Sequence, residues 1–476
     1  MKKTLLFCLI LLCASSILNS QTTFSALKSI NASTGANPYV IDSGDLDADL
    51  SNPLDANKSI DIVIGTYSGN TIEWYKNDGS GNFTLQTLIA STITGISGIE
   101  IADLNGDNYN DIIASSYPDD KLVWYANDGA GGFGSEQTIS SSINGGGTVV
   151  SGTIDAGATI DVAVVAYDSG DTVWFSNDGS GNFSGPYTIA SVASSGPADL
   201  DLADFDGDGD LDAVIANGVG KNIELYDNRL IPDGSVSFVK YDNSVDTGNV
   251  NLFDVSFADV NDDTVLDIIK SDYGAPGEVA YYTKNSAGTS TTFSKTIITT
   301  AMSIQRPATA TVADLDNDTK NDVVSSNAAS LGNDLEWFES TDVGTFNTVA
   351  TIDDVQQIVY GVTINDFDAD GDLDIASFSY YDSTLNWFEN YLINPPLGLD
   401  ENEPNKISIF PNPAKNQLYF KGFSQNFEVL VYDIVGKNIL DETMDANASL
   451  DVSKLKSGIY ILKFKDYDST FKLVKE

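Results

Sequence analysis

The chain has 476 residues and carries 24 Lys plus Arg against 69 Asp plus Glu, a formal net charge of -45 without one histidine. So acidic a surface repels nucleic-acid phosphates and anionic membranes and attracts cations. A hydrophobic content of 42%, with 22 Phe and 21 Tyr, is too high for a disordered acidic chain, and the lack of histidine excludes a Ser-His-Asp triad, a Cys-His pair and an HExxH zinc site.

Residues 1–20, "MKKTLLFCLILLCASSILNS", read as a secretory signal peptide, with two lysines, an apolar run from Leu5 to Leu12 and small polar residues before Gln21. Cys8 and Cys13, the two cysteines of the chain, both fall inside it. Leu12 is a poor residue to precede a lipidated cysteine, which disfavours a lipoprotein anchor at Cys13. The mature chain is then free of disulfides despite export, and something else must staple it. No later segment approaches the ~18 uninterrupted apolar residues of a transmembrane helix.

From Gln21 onward a repeat of about fifty residues organises the chain. An aspartate closes an acidic loop at Asp61, Asp111, Asp161, Asp212, Asp267, Asp322 and Asp374. Each is followed by a short, apolar, β-branched-rich run such as "IVIGTY", "IIASSY" or "VAVVAY", the pattern of a buried strand. About a dozen residues on stands a large side chain: Trp74, Trp124, Trp174, Leu225, Tyr281, Trp337, Trp387. All five tryptophans share this register, and packing between neighbouring sheets accounts for them more simply than stacking on sugars. Hairpin signals such as "NDGSGNF" lead to a further strand at Phe83, Phe133, Phe183, Phe238, Phe293 and Phe346.

Four strands per unit, seven times, predict an all-β, seven-bladed β-propeller of four-stranded blades over residues 21–394. The seventh unit stops at "LNWFEN" without a Phe strand, and "FSALKSINA" from Phe24 matches "FTLQTLIAS" from Phe83. The N-terminal strand is therefore expected to complete the seventh blade and close the ring.

The acidic loops have the oxygen spacing of a calcium site. "DLNGDNYND" offers Asp103, Asn105, Asp107 and Asp111 at positions 1, 3, 5 and 9, with the main-chain carbonyl of Tyr109 at position 7 and a turn at Gly106. The same frame recurs at Asp204, Asp206, Asp208 and Asp212; at Asp259, Asn261, Asp263 and Asp267; at Asp314, Asp316, Asp318 and Asp322; and at Asp366, Asp368, Asp370 and Asp374. Asp210, Val265, Lys320 and Asp372 supply the position-7 carbonyls. Magnesium, which favours water-rich octahedral sites, fits less well. No glutamate stands at position 12 and strands rather than helices flank the loops, so these are not EF-hands. The first loop keeps Asp45, Asp47, Asp49 and Asp61 but carries an insertion; the third, "SGTIDAGATID", has a broken frame and is expected to be empty.

These phased "DxDGDxxxD" loops resemble the FG-GAP/VCBS repeats of secreted bacterial proteins and of the integrin alpha-subunit propeller. The resemblance implies a ligand-binding ring stiffened by about five structural calcium ions, six if the first loop binds, and names no ligand.

A linker, residues 395–406, precedes a tail that carries nine Lys and nine Asp plus Glu over residues 407–476, against 15 basic and 60 acidic residues before it. Short alternating strands ("ISIFPNP", "QLYFKG", "EVLVYDIVGK", "GIYILKFK", "TFKLVK") predict a small immunoglobulin-like β-sandwich. "FPNPAKNQLYF", "VYDIVGK", "LDVSKLKSGIYIL" and "KLVK" resemble the type A sorting domain of the type IX secretion system. That likeness implies the type IX machinery as a partner and display on, or release from, the outer membrane of a Bacteroidota cell.

Functionally the chain reads as a secreted or surface, calcium-binding, non-catalytic recognition or adhesion module for a glycan or protein. A polysaccharide lyase or hydrolase on the same scaffold is the competing class, and a structural surface component is a third. No catalytic residue stands out, because Asp is abundant for calcium reasons.

Overall fold

The computed structural model describes residues 24–475 apart from 48–58, 90–91, 130, 231–233, 249–250, 275–276, 286–291, 300–305, 329–333, 343, 348–349, 393–407, 411, 422–425, 434–435, 446–448 and 466. The expected signal peptide, Asp49 and the linker lie outside the described residues. Two compact units form, Met1–Asn394 and Pro395–Glu476.

The first unit is a β-propeller of antiparallel sheets in sequence order, four-stranded except the fourth, where Asp246–Thr247 adds a fifth strand against Asn222–Asn228. The first sheet orders Pro38–Gly44, Asp61–Thr66, Ile72–Asn77 and Phe83–Leu85 side by side, and the third orders Gly146–Gly152, Asp161–Ala166, Asp171–Asn177 and Phe183–Ser191. Every second strand starts on the loop-closing aspartate: Asp61–Thr66, Asp111–Ser116, Asp161–Ala166, Asp212–Asn217, Asp267–Asp272, Asp322–Asn327 and Asp374–Ser379. All six residues of each are buried, because these strands have a sheet neighbour on both edges and another sheet on both faces.

The first strands stand with one edge unpaired, and the preceding sheet covers that edge with carboxylates. Asp42 accepts the Ile101 N–H at 2.9 Å, Asp199 the Val255 N–H at 2.9 Å, Asp201 the Phe257 N–H at 2.8 Å and Asp254 the Ala310 N–H at 3.1 Å. Glu100 takes the Ser151 hydroxyl at 2.8 Å. An open edge thus finds acceptors within the molecule.

The sheet of Val359–Asn365, Asp374–Ser379 and Thr384–Phe388 takes Lys28–Asn31 as its fourth strand, pairing Lys28 with Trp387 and Ser29 with Asn386. Phe24 bridges Asn390, and the Ser25 N–H donates to the Glu389 carbonyl at 2.8 Å. Val359–Asn365 also lies beside Pro38–Gly44 of the first sheet, where the Asn365 amide donates to the Ser43 hydroxyl at 2.6 Å.

Trp74, Trp124, Trp174, Trp337 and Trp387 are all buried, each no more than 5% exposed, so they are packing residues and not sugar contacts. The next sheet's hairpin closes over several of them. Phe133 meets Trp74 edge-on at 5.7 Å, Phe83 meets Trp387 at 6.1 Å, and Phe24 meets Trp337 at 6.0 Å. The second glycine of the hairpins, Gly81, Gly131 and Gly181, has φ of 69°, 83° and 74° and lies against the indole of the preceding sheet. This explains the "GSG" and "GAG" turns: both a left-handed conformation and the absence of a Cβ are required.

Fourth strands are the least regular. In the second sheet the strand is Gln137–Ser140 and Phe133 makes only an isolated bridge; in the sixth, Phe346 sits in a side hairpin and Ala350–Asp353 pairs instead. These are outer edge strands, where few apolar contacts fix register.

The second unit stacks Ser408–Phe410, Gln417–Lys421 and Ser449–Asp451 against a sheet ordered Asn438–Met444, Phe427–Asp433, Gly458–Phe464 and Tyr467–Lys475. Leu418, Val429, Val431, Leu450, Leu462 and Leu473 form its core. Two strands went unanticipated, Asn438–Met444 and Ser449–Asp451; the first is largely exposed, and only Leu440 and Met444 face the core.

The hairpin glycines give a paired test. In Gly81→Ala the new methyl would meet Trp387 carbons at 2.4 Å at a positive φ, and a loss of about 2–4 kcal/mol is expected. Gly234→Ala, with φ of 75° and open space around it, should cost only about 1 kcal/mol. Denaturant unfolding of the two variants measures the difference.

Candidate metal centres and an aromatic cavity

The aspartate closing each acidic loop is a buried acceptor of backbone N–H groups. Asp111 takes the Leu104 N–H at 3.0 Å on one oxygen and the Asn127 N–H at 2.8 Å on the other. The same pair of bonds recurs at Asp61, Asp161, Asp212, Asp322 and Asp374. Asp61 also accepts the Trp74 indole at 3.0 Å, and Asp267 accepts the Asn261 amide at 2.9 Å.

The asparagine that donates to this aspartate then reaches backward. Asn127 Nδ2 bonds the Leu46 carbonyl of the preceding loop at 2.8 Å, Asn177 that of Leu104 at 2.7 Å, Asn228 that of Ile154 at 3.1 Å and Asn390 that of Leu315 at 2.8 Å. Asn77 of the first sheet bonds the Phe367 carbonyl of the last acidic loop at 2.6 Å. Adjacent loops are therefore coupled through buried amides.

The five intact loops share one backbone. Positions 4 and 6 have positive φ in each: Gly106 and Asn108, Gly207 and Gly209, Asp262 and Thr264, Asn317 and Thr319, Ala369 and Gly371. Thr264 at 70° and Thr319 at 73° are β-branched residues in a conformation that disfavours them. The curl lets the position-1 carboxylate accept two loop N–H groups, as Asp103 does from Gly106 and Asn108 at 2.8 Å each. Asp204, Asp259, Asp314 and Asp366 do likewise. Position 5 accepts the position-7 N–H throughout: Asp107 from Tyr109, Asp208 from Asp210, Asp263 from Val265, Asp318 from Lys320 and Asp370 from Asp372.

Carboxylate oxygens converge within 4.8 Å of one another at Asp204, Asp206 and Asp212; at Asp314, Asp316 and Asp318; and at Asp366, Asp368 and Asp374. The loops of Asn105 and Asn261, where an amide replaces one carboxylate, form no such triple among the described residues. Burial, with repulsion from neighbouring carboxylates, pushes Asp111 up to about 6, Asp267 and Asp322 to about 7, and Asp212 and Asp374 to about 8. Asp368, raised to about 7 by burial and by Asp370, has a buried Oδ1 without a hydrogen-bond partner. Crowded oxygen-only donors that resist ionisation alone fit a hard divalent cation.

The remaining loops differ. In the first, Lys76 pairs with Asp47, Asp45 and Asp61 are described, and Asp61 is raised to about 7, chiefly by burial. In the third, Asp155 is bound by the Ser176 hydroxyl at 2.7 Å and no residue between Ser151 and Asp161 has positive φ, in line with the broken frame.

A second feature escaped the sequence reading. A cavity of about 610 Å³ is walled by Tyr39, Tyr67, Tyr117, Tyr167, Tyr360 and Tyr380, with Phe253, Asp199 and Asp254 also lining it. Five of the seven second-strand runs end in tyrosine six residues after the loop aspartate (Tyr67, Tyr117, Tyr167, Tyr273, Tyr380). That periodicity was the available signal.

Asp161→Ala should destabilise the first unit by about 1–3 kcal/mol, equally with and without calcium, by orphaning the Ile154 and Asn177 N–H groups. A calcium-dependent loss would show that the third loop holds an ion. The raised carboxylates set a pH dependence for metal-free protein. Their folded pKa values, about 6 to 8, lie above unfolded values near 4. Their stabilisation is thus complete below about pH 4 and lost as pH rises through 6 to 8. Thermal melts of metal-stripped protein should show a higher Tm at pH 5 than at pH 8.

Residues 54–114 and 158–215 match the FG-GAP-like repeat family, and residues 408–476 match the secretion system C-terminal sorting domain. No curated protein is similar enough in sequence to count as a relative. Among solved structures, virginiamycin B lyase from Staphylococcus aureus aligns at TM-score 0.51 and 13% identity, over 76% of this chain and 98% of that one. A streptogramin B lyase aligns at 0.50 and 12%, over 77% and 97%. At this identity the likeness concerns the fold alone. The chain thus carries FG-GAP-like repeats on a propeller fold and ends in a secretion-system sorting domain of the type IX kind.

Proposed function

We propose that the first unit is a closed, seven-bladed propeller, stiffened by calcium and acting as a non-catalytic recognition module at or beyond the cell surface to which the sorting domain directs it. The pairing of Lys28–Asn31 with Thr384–Phe388 and the Asn77 bond to the Phe367 carbonyl support closure. Calcium would be held by Asp103, Asn105, Asp107 and Asp111, and by the equivalent oxygens of the Asp204, Asp259, Asp314 and Asp366 loops. The ion would neutralise carboxylates that otherwise repel one another, fixing each loop between two strands.

The observation that carries the calcium assignment is the common backbone of the five loops, strained at Thr264 and Thr319. Recognition rests on the tyrosine-walled cavity, a concave site of ligand size. A lyase reading draws on the neighbours' names, but a histidine-to-alanine form of the Staphylococcus aureus enzyme is described as catalytically inactive, and this chain has no histidine.

Chelation should lower the Tm of the first unit by roughly ten degrees or more, since ions bound only to the native state stabilise it by mass action. An unchanged melt in EGTA would refute the structural-calcium assignment. Asp208→Ala should remove one calcium from the bound total, because repeat arrays couple mainly to neighbours. The recognition reading is tested by offering the purified protein to glycan and surface-protein arrays in calcium. Saturable binding without product supports it; shortened polymer in the same samples would make the protein an enzyme.

A further inference from the structure

The tyrosine-walled cavity belongs to the recognition reading above, and its chemistry narrows the ligand. Its aromatic wall is nearly continuous: Tyr39 lies 5.6 Å from both Tyr67 and Tyr360, and Tyr360 lies 5.2 Å from Tyr380. Tyr117 and Tyr167 form a further pair at 6.3 Å. Asp199 and Asp254 line the same cavity, and neither Lys nor Arg is among the described residues lining it.

Each of these two carboxylates spends one oxygen on an N–H of the next sheet, Val255 for Asp199 and Ala310 for Asp254. Those donors are neutral. Burial and mutual repulsion hold Asp254 well above the usual carboxylate range, and burial pushes Asp199 up to about 6. Among the described residues the pair has no cationic partner.

Three ligand chemistries can be weighed. A metal ion would lose its hydration against aromatic rings that offer few oxygens in return. A neutral sugar could stack on the tyrosines but would bring no positive charge to the pair, whose carboxyls would then have to stay protonated to be buried. An organic ammonium satisfies both surfaces, since ring faces carry the negative end of their quadrupole and attract cations, and its methylenes or methyls bury apolar area. We propose that this cavity binds an organic ammonium ion, of the alkylamine or polyamine class, with its charge at Asp199 and Asp254 and its carbon chain against the tyrosine rings.

The test is calorimetric titration of the full chain with spermidine in saturating calcium, so that the acidic loops are already occupied. Saturable one-to-one binding is expected. Asp254→Asn should weaken it about tenfold, and so should Tyr167→Ala, whose side chain is 36% exposed and can be removed without unfolding the sheet. Asp178→Asn, at a hairpin outside the cavity lining, should leave it unchanged. Absence of saturable binding, or equal affinity in wild type and Tyr167→Ala, would overturn the proposal. A neutral oligosaccharide that binds in place of spermidine, and is weakened by Tyr167→Ala, would overturn the ammonium assignment and leave the recognition reading standing. Silence of spermidine and of the glycan and protein arrays together would remove both.

Discussion

A carboxylate buried at the head of a strand organises this molecule. Asp111 and its six counterparts are placed where the chain turns from the acidic loop into the most deeply buried strand of each sheet. In most copies one oxygen closes the loop behind it and the other fixes the end of the third strand, through an N–H that in five copies belongs to an asparagine tied to the preceding loop. A single side chain so couples loop, sheet and neighbouring sheet. Its cost is a buried negative charge, and the crowded oxygens around it in the five intact loops are what a divalent cation would reconcile.

Much of this was visible in the chain because the repeat makes the same physical demand many times. Alternation alone could not have separated the second strands from helix segments, but their recurrence behind an aspartate at fixed spacing could. The N-terminal strand was identifiable because the last unit lacked a Phe strand and the first residues supplied one. What failed was the outer edge. Phe133 and Phe346 head strands that start late or elsewhere, since an outer strand with one exposed face is held by few contacts. Asn438–Met444 sends only Leu440 and Met444 to the core, too few to stand out among its exposed polar residues.

The candidate sites divide along the same line. The spacing of oxygen side chains in the loops was legible because loop chemistry is local. The aromatic cavity was only half legible: a tyrosine recurs six residues after the loop aspartate, but Tyr39 and Tyr360 lie outside that register and only the sheet arrangement brings them to the same wall. Tryptophan drew attention by its rarity and turned out to be internal cement, whereas tyrosine, common in composition, walls the cavity.

The strand that completes the last sheet has a kinetic consequence. Ser25 meets Glu389 across 364 positions of chain, so during synthesis the strand Lys28–Asn31 must wait for nearly the whole propeller before it has its partner. The entropy of closing so long a loop grows only with the logarithm of its length, which makes the late pairing thermodynamically tolerable. During the wait, however, Thr384–Phe388 offers an open edge to any equivalent strand nearby. At high local concentration the N-terminal strand of one molecule could occupy the last sheet of another, and the two chains would be linked by the contacts that join Lys28–Asn31 to Thr384–Phe388 within one chain.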